Sequence, residues 1–465
     1  MNPRRRLRPL LLGCLIIPAL VCAVGGYMVH RQVTGISSKL PEHVAALKKM
    51  GVATEPNDLA PNPPVSPGEN AASLYRSLGF QLEALTKAQA KKEQVKLLDA
   101  FADPKGDPKN LGSVLAVIQS QQILFSDLHK LNRFPRLDFQ RDYKLGFSLL
   151  LPEFADQKRL AKWACTEARA KWMTNDRAGA IQSLRTAYRI GEHIQQEPFI
   201  IAELVYLSIQ AIAHQTLYSF MQEARNDRLL LAQLERMRAS VGPAPDIRTA
   251  FGGEVVMGRT TIQTLTGKKS LAMFSMSSNG ESEMPWLDAM LSSKAVREMY
   301  EAKFAEAWLR ILKSLPQDRG DYTGMAKAVR AESAKIDSDK SLENILNRIL
   351  FPVLDQAIDA AANGAAERRL EMLSFRLLKL RPNLPANLSQ FGEEAIDPFT
   401  GKPFGYKRDG RGFKIWSVGR DRADNGGVAR KPNSGSGREG IDLVMGFDIQ
   451  IQEVVPTKSA NESEG

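Results

Sequence analysis

The stretch LAKWACTEARAKWMTNDRAGAIQSLRTAYRIGEHIQQEP, Leu160 to Pro198, is the clearest helical unit in the chain. Asn175 and Asp176 break it, and Asp176 is a good N-cap for a second helix, because its carboxylate can accept an amide proton that the first turn leaves unpaired. In that second helix Ile181, Leu184, Tyr188, Gly191 and Ile194 recur every three or four residues and define one buried stripe. Ala164, Ala168, Ala178 and Ala180 permit close packing of the two helices. The unit predicts an αα-hairpin in a helical bundle.

Its order of small and large residues resembles a tetratricopeptide-type helix pair. No second copy follows at a period of about 34 residues, so a superhelical array is not expected. The next segment, PFIIAELVYLSIQAIAHQTLYSFM from Pro198 to Met221, is apolar nearly all round. Glu203, Gln210, His214 and Gln215 interrupt it, and a carboxylate deep in a membrane helix costs at least about 2.5 kcal/mol, so a buried core helix is expected. Upstream, residues 71 to 130 carry helical periodicity with an interruption at Ala102 to Asn110. Downstream, Gly253 to Pro285 reads as a loop rich in Ser, Gly and Met, and Trp286 to Arg381 as helical again.

The N-terminus predicts a membrane segment. Leu10 to Val29 is LLLGCLIIPALVCAVGGYMV, about the twenty apolar residues needed to cross a bilayer. Arg4, Arg5, Arg6 and Arg8 precede it, which puts the N-terminus in the cytoplasm and the bulk outside. The same residues leave other processing open: cleavage of a signal after Ala23, giving a periplasmic protein, or lipidation at Cys14, whose preceding apolar run is short. Cys165 is then the only exported thiol, so no intrachain disulfide forms there. Five prolines between Gly51 and Asn70 predict an extended spacer that stands the body off the membrane. The net charge of +11 includes five arginines in the first 31 residues, and the remaining basic residues are scattered, which argues against nucleic acid as a partner.

At the other end, PFGYKR and GFKIWSV flank DGRG, a hairpin signal, and IDLVMGFDI reads as a third strand. Three strands bury little alone, so they are expected to lean on the helix Ala365 to Leu380. The order helix, LP, DPFTGKPFGY, GFKIWSVGRD, acidic Gly-rich loop and IDL resembles the C-terminal part of the major pseudopilins of type II secretion systems. That resemblance covers roughly residues 365 to 449 and implies a calcium-binding loop, with a carbonyl from Val418 and carboxylates from Asp421 and Asp442. Asp424 and Asn425 join that set on the loop's own composition, since calcium takes six to eight oxygens. The same Asp and Gly residues equally suit ordinary turns. Arg420, Arg422, Arg430, Lys431 and Arg438 crowd the loop with positive charge, and the prepilin cleavage motif is missing, so filament assembly is not expected. The layout as a whole, with ENAASLY at Glu69 to Tyr75, EPFII at Glu197 to Ile201 and DPFTGKPF at Asp397 to Phe404, resembles a family of bacterial membrane-anchored envelope proteins to which no activity is attached.

No catalytic constellation stands out. His193 and Glu197 form a single i, i+4 pair, read as a surface or packing contact; Gly435 to Gly440 matches GxGxxG without a strand before it or a helix after it; Cys165 reads as inert core. The expectation is a mainly α protein with one N-terminal transmembrane helix and a small C-terminal antiparallel β module, divided as tip and membrane segment 1–31, spacer 32–70, helical domain 71–364, β module 365–455 and tail 456–465. Its expected role is protein contact or scaffolding among envelope proteins at the inner membrane. The alternatives are an accessory of a secretion or pilus-like apparatus, and an enzyme whose site is assembled from distant residues.

Overall fold

A computed structural model describes residue 24 and residues 26–243, 246–264, 292–351, 353–430 and 442–454. Most of the predicted membrane segment, Leu10 to Val29, lies outside the described residues, as do the GxGxxG tract and the tail 456–465.

A helix over residues 26–37 leads into α1 (Leu40–Lys49). Four helices follow: α2 (Ala72–Lys87), α3 (Lys92–Phe101), α4 (Leu111–Ser120) and α5 (Gln122–Lys130). The expected hairpin is α6 (Glu153–Met173) and α7 (Arg177–Ile194), and Asp176 caps α7 by accepting the Gly179 amide at 2.9 Å. A second antiparallel pair, α8 (Ile200–Ala224) and α9 (Arg228–Ala239), packs on the first. Asp227 caps α9 through the amides of Leu229 and Leu230, each at 3.0 Å. The two turns share the sequence Asn-Asp-Arg, at residues 175–177 and 226–228. No fixed short period reveals this echo, because α8 is 25 residues long.

α8 is the one described helix long and apolar enough to span a membrane, and more than half of that stretch is buried in protein. It is a core helix, as its polar interruptions require. The chain continues through α10 (Ile247–Thr264), α11 (Lys294–Ser314), α12 (Tyr322–Ser338), the short α13 (Ile345–Leu350) and the long α14 (Val353–Leu380). Residues 253–264 are therefore helical, not loop; residues 265–291 lie outside the description. Two glycines of α10 are close-approach residues. A Cβ at Gly253 would overlap the Pro198 carbonyl oxygen, and one at Gly258 would enter the Phe304 ring.

Five strands complete the fold: β1 (Gly405–Asp409), β2 (Gly412–Ser417), β3 (Val428–Arg430), β4 (Leu443–Phe447) and β5 (Gln452–Val454). β1, β2 and β4 form the antiparallel sheet in that order, with Asp409 opposite Gly412 and Phe413 opposite Phe447. β3 and β5 add a parallel two-stranded piece that alternation did not announce, since three residues are too few to show a period.

Two apolar cores hold the body. The first joins α2 through α9 with the C-terminal half of α14 and the sheet, whose Phe413, Ile415, Met445 and Phe447 are buried in it. The second gathers α1, α10, α11 and α12 with the start of α14, and takes in Val33 and Leu47 from the N-terminal helices. Two expected boundaries change accordingly. α14 runs unbroken across 364/365, so the β module shares the helical body's core. The Pro-rich segment is docked: Thr54 is buried, its carbonyl accepts from Arg259, and Glu55 pairs with the same guanidinium at 3.1 Å. Proline does not exclude packing, and Pro56 even opens a single 3₁₀ turn, Pro56–Leu59, within this segment.

Candidate functional site in the C-terminal module

The stretch DPFTGKPF is organised by Asp397, which is almost fully buried. Its Oδ1 accepts from the Phe399 amide and the Ser417 hydroxyl, both at 2.9 Å, and its Oδ2 accepts from the Val418 amide at 2.9 Å. Its own amide donates to the Lys402 carbonyl at 2.7 Å, closing the turn. Burial raises the carboxyl's pKa above its ordinary value, against the pull of these three donors. One side chain thus ties the entry of the hairpin to the exit of β2.

The hairpin closes with Gly410 and Arg411, and Gly410 takes φ +55°, a left-handed value that a side chain disfavours. Beyond β2 the loop is held by a second buried acid, Asp442, which accepts amide protons from Asn425 (3.3 Å), Gly427 (2.7 Å) and Val428 (3.3 Å). Burial raises its pKa as well, with the neighbouring Asp424 charge adding to the effect. Asp424 Oδ1 accepts from Trp416 Nε1 and from the Gly426 amide, both at 2.8 Å. Lys414 donates to the Gly426 carbonyl at 2.6 Å and lies over the Trp416 ring. Asp421 accepts the Ala423 amide at 3.1 Å, and the Asn425 side chain donates to the Ala423 carbonyl at 3.0 Å.

The five residues of the calcium reading thus have definite places. Asp424, Asn425 and Asp442 are neighbours; Val418 is engaged through its amide by Asp397, and Asp421 caps its own turn. Hydrogen-bond donors, which present the positive charge a cation would otherwise supply, occupy Oδ1 of Asp424 and both carboxylate oxygens of Asp442. Among the described residues no group of three His, Cys, Asp or Glu side chains converges as a metal cluster.

The loop's arginines pin it to α14. Arg420 Nε and Arg330 Nη2 donate to Asp359 Oδ2 at 3.0 and 3.1 Å, and Arg422 Nη2 donates to Oδ1 at 3.1 Å. The Asp359 side chain is 2% exposed, so three guanidinium groups converge on a carboxylate that water barely reaches. Arg330 also donates to Asp355 at 2.8 Å. On the other face, Tyr218 and Gln222 of α8 donate to the Gly446 carbonyl of β4, and Arg225 and Arg381 grip Asp448 just beyond it. The sheet packs on α14, the helix expected to support it.

Two polar clusters in the body escaped the sequence reading. His193 is fully buried: Nε2 donates to the Phe134 carbonyl at 2.8 Å, Nδ1 accepts from Tyr75 at 2.9 Å, and burial pushes the imidazole pKa down to about 4. Glu197 pairs with Arg141 at 2.9 Å, so the i, i+4 pair is neither on the surface nor a pair. The Tyr75 hydroxyl ties the ENAASLY start to the end of α7, just ahead of the EPFII turn. The second cluster centres on buried Glu371, which accepts from His214 at 2.8 Å and from Arg238 Nε, while the Arg238 guanidinium lies over the Tyr188 ring. A helical His, Arg or Glu at a core-facing position was the available signal, and it names no partner across the chain. Cys165 is buried, with its thiol pushed up to about 12, which suits inert core.

No protein-family model, curated protein or solved structure matches the chain.

Proposed function

We propose that this chain is a membrane-tethered envelope scaffold: one N-terminal helix in the inner membrane, with the two-core helical body and its β module outside the cytoplasm, acting through protein contacts. The observation that carries the reading is the start of the described helix. Val24, Tyr27, Met28 and Val29 are exposed, whereas Val33, one turn further on, is buried in the second core. A helix that leaves its apolar residues uncovered and then enters a protein core is what a bilayer segment joined rigidly to its domain requires. The polar clusters support a structural role, since Asp397, Asp442, Asp359 and Glu371 spend their acceptors holding elements together. In this reading the loop after β2 is held by amide and guanidinium donors, without calcium.

Alkaline carbonate extraction tests the tether: the full-length protein stays in the membrane pellet, and a tag placed after Gly465 is digested by protease added outside. Release into the supernatant, or a tag protected until the membrane is broken, overturns the reading. In vivo crosslinking from β1 identifies the contacts, and capture of secretion components would favour the accessory role.

A further inference from the structure

The first turn of α8 lies where the two cores meet. Ile200 belongs to the second core, while Phe199 and Ala202 on either side belong to the first. Two acids flank this turn. Glu203, on the helix itself, is 4% exposed, and its buried Oε1 has no hydrogen-bond partner among the described residues. Glu254, from α10, accepts the Ile200 amide at 3.0 Å and lines a small cavity of about 20 Å³ with Phe147, Phe304, Trp308, Phe351 and Leu354. Trp308 Nε1 is buried there without a partner among the described residues.

Few charges face these acids. Tyr206 on α8 and Tyr322 on α12 feel the charge of Glu203, and Arg369 and Asp246 act in turn on Tyr322. Glu254 faces the Ile200 amide, the indole of α11 and the Phe147 ring; Arg259 on α10 and Glu301 on α11 are paired to each other. No ion pair to Glu203 or Glu254 is formed among the described residues; Glu254 has the Ile200 amide as donor, and Glu203 Oε1 has none. Tyr322 packs against both cores, so the seam continues through α12.

We propose that the first turn of α8 is a proton-controlled coupling between the two cores, closed while Glu203 and Glu254 are neutral and released when they ionise. A neutral carboxyl tolerates this seam, and an ionised one without a cation is driven toward water. Burial pushes Glu203 up to about 8 and Glu254 up to about 7, which puts the transition around neutral pH. An acid whose pKa is raised in the closed state holds its full stabilising effect below the ordinary carboxyl value and loses it as pH rises to the raised one. Over that window each acid exposed by opening increases the open-to-closed ratio about tenfold per pH unit.

Hydrogen exchange on the full chain in detergent micelles, corrected for the intrinsic pH dependence, tests this. In the wild type, opening at residues 200–204 should rise about tenfold per pH unit per acid from pH 5 to 7, then level off near pH 8, while α6 and the centre of α14 stay protected. Glu203→Gln and Glu254→Gln mimic the neutral acids and keep the fold; each should remove one acid's share of the slope, and the double variant should show none. A wild-type slope of zero, a slope retained in the double variant, or equal slopes in both cores, meaning global unfolding, overturns the proposal.

Discussion

Glu371 shows at the scale of one residue how this body is held. Burial works to raise its pKa, yet Arg238 and His214 hold it below the ordinary carboxylate value. Its contribution is therefore present above the ordinary carboxyl range and lost as pH falls through the depressed value, which makes it a point of acid failure. Glu371→Ala leaves the Arg238 guanidinium buried and unpaired and should cost about 3–5 kcal/mol in urea unfolding at pH 7. The glycines make a steric case. Gly258→Ala forces the Phe304 ring out of place and should cost about 1–3 kcal/mol by the same measurement, although alanine favours an isolated helix.

At the scale of elements, the loop between β2 and β4 is fastened at both ends, by Asp442 to its own amides and through Arg420 and Arg422 to Asp359 on α14. Calcium and chelator should leave the melting temperature unchanged, and Asp442→Ala should lower it by the same amount in either buffer. A calcium-dependent rise that disappears in Asp442→Ala would restore the metal reading. Asp359→Ala takes the carboxylate from Arg420 and Arg422, while Arg330 keeps Asp355, and its effect should be local: faster proteolysis between Gly419 and Gly427, with the hairpin retained. The β1–β2 hairpin was legible because Asp-Gly-Arg-Gly between alternating residues specifies a tight turn locally. The loop's attachment was not, since nothing near Arg420 points to an acid on a helix some sixty residues earlier.

For the whole molecule, the two cores replace the expected string of separate domains. Phe413, Ile415, Met445 and Phe447 share one core with Leu160 and Ala164, so a fragment ending at Gly364 loses part of its own interior. That fragment should lack the near-ultraviolet circular dichroism of a packed core, even where it keeps helical far-ultraviolet signal. The docked segment around Thr54 and the buried Val33 similarly tie the N-terminal helices to the body.

Legible from the residues alone were the helices and their main breaks, the αα-hairpin with its Asp176 cap, the identity of α8 as a core helix, and the C-terminal hairpin with its supporting helix. Each of these depends on residues within a few positions of one another, where periodicity, capping and turn chemistry act. It took the packed molecule to reveal that the prolines of residues 51–70 lie in a docked segment, that Gly253 and Gly258 are contact points inside a helix, that Asp397, Asp442 and Asp359 serve as anchors, and that His193, Glu197 and Glu371 meet partners from distant segments. Those outcomes depend on which surfaces the chain brings together, and a buried charge or a close backbone approach has no signature until its partner is in place.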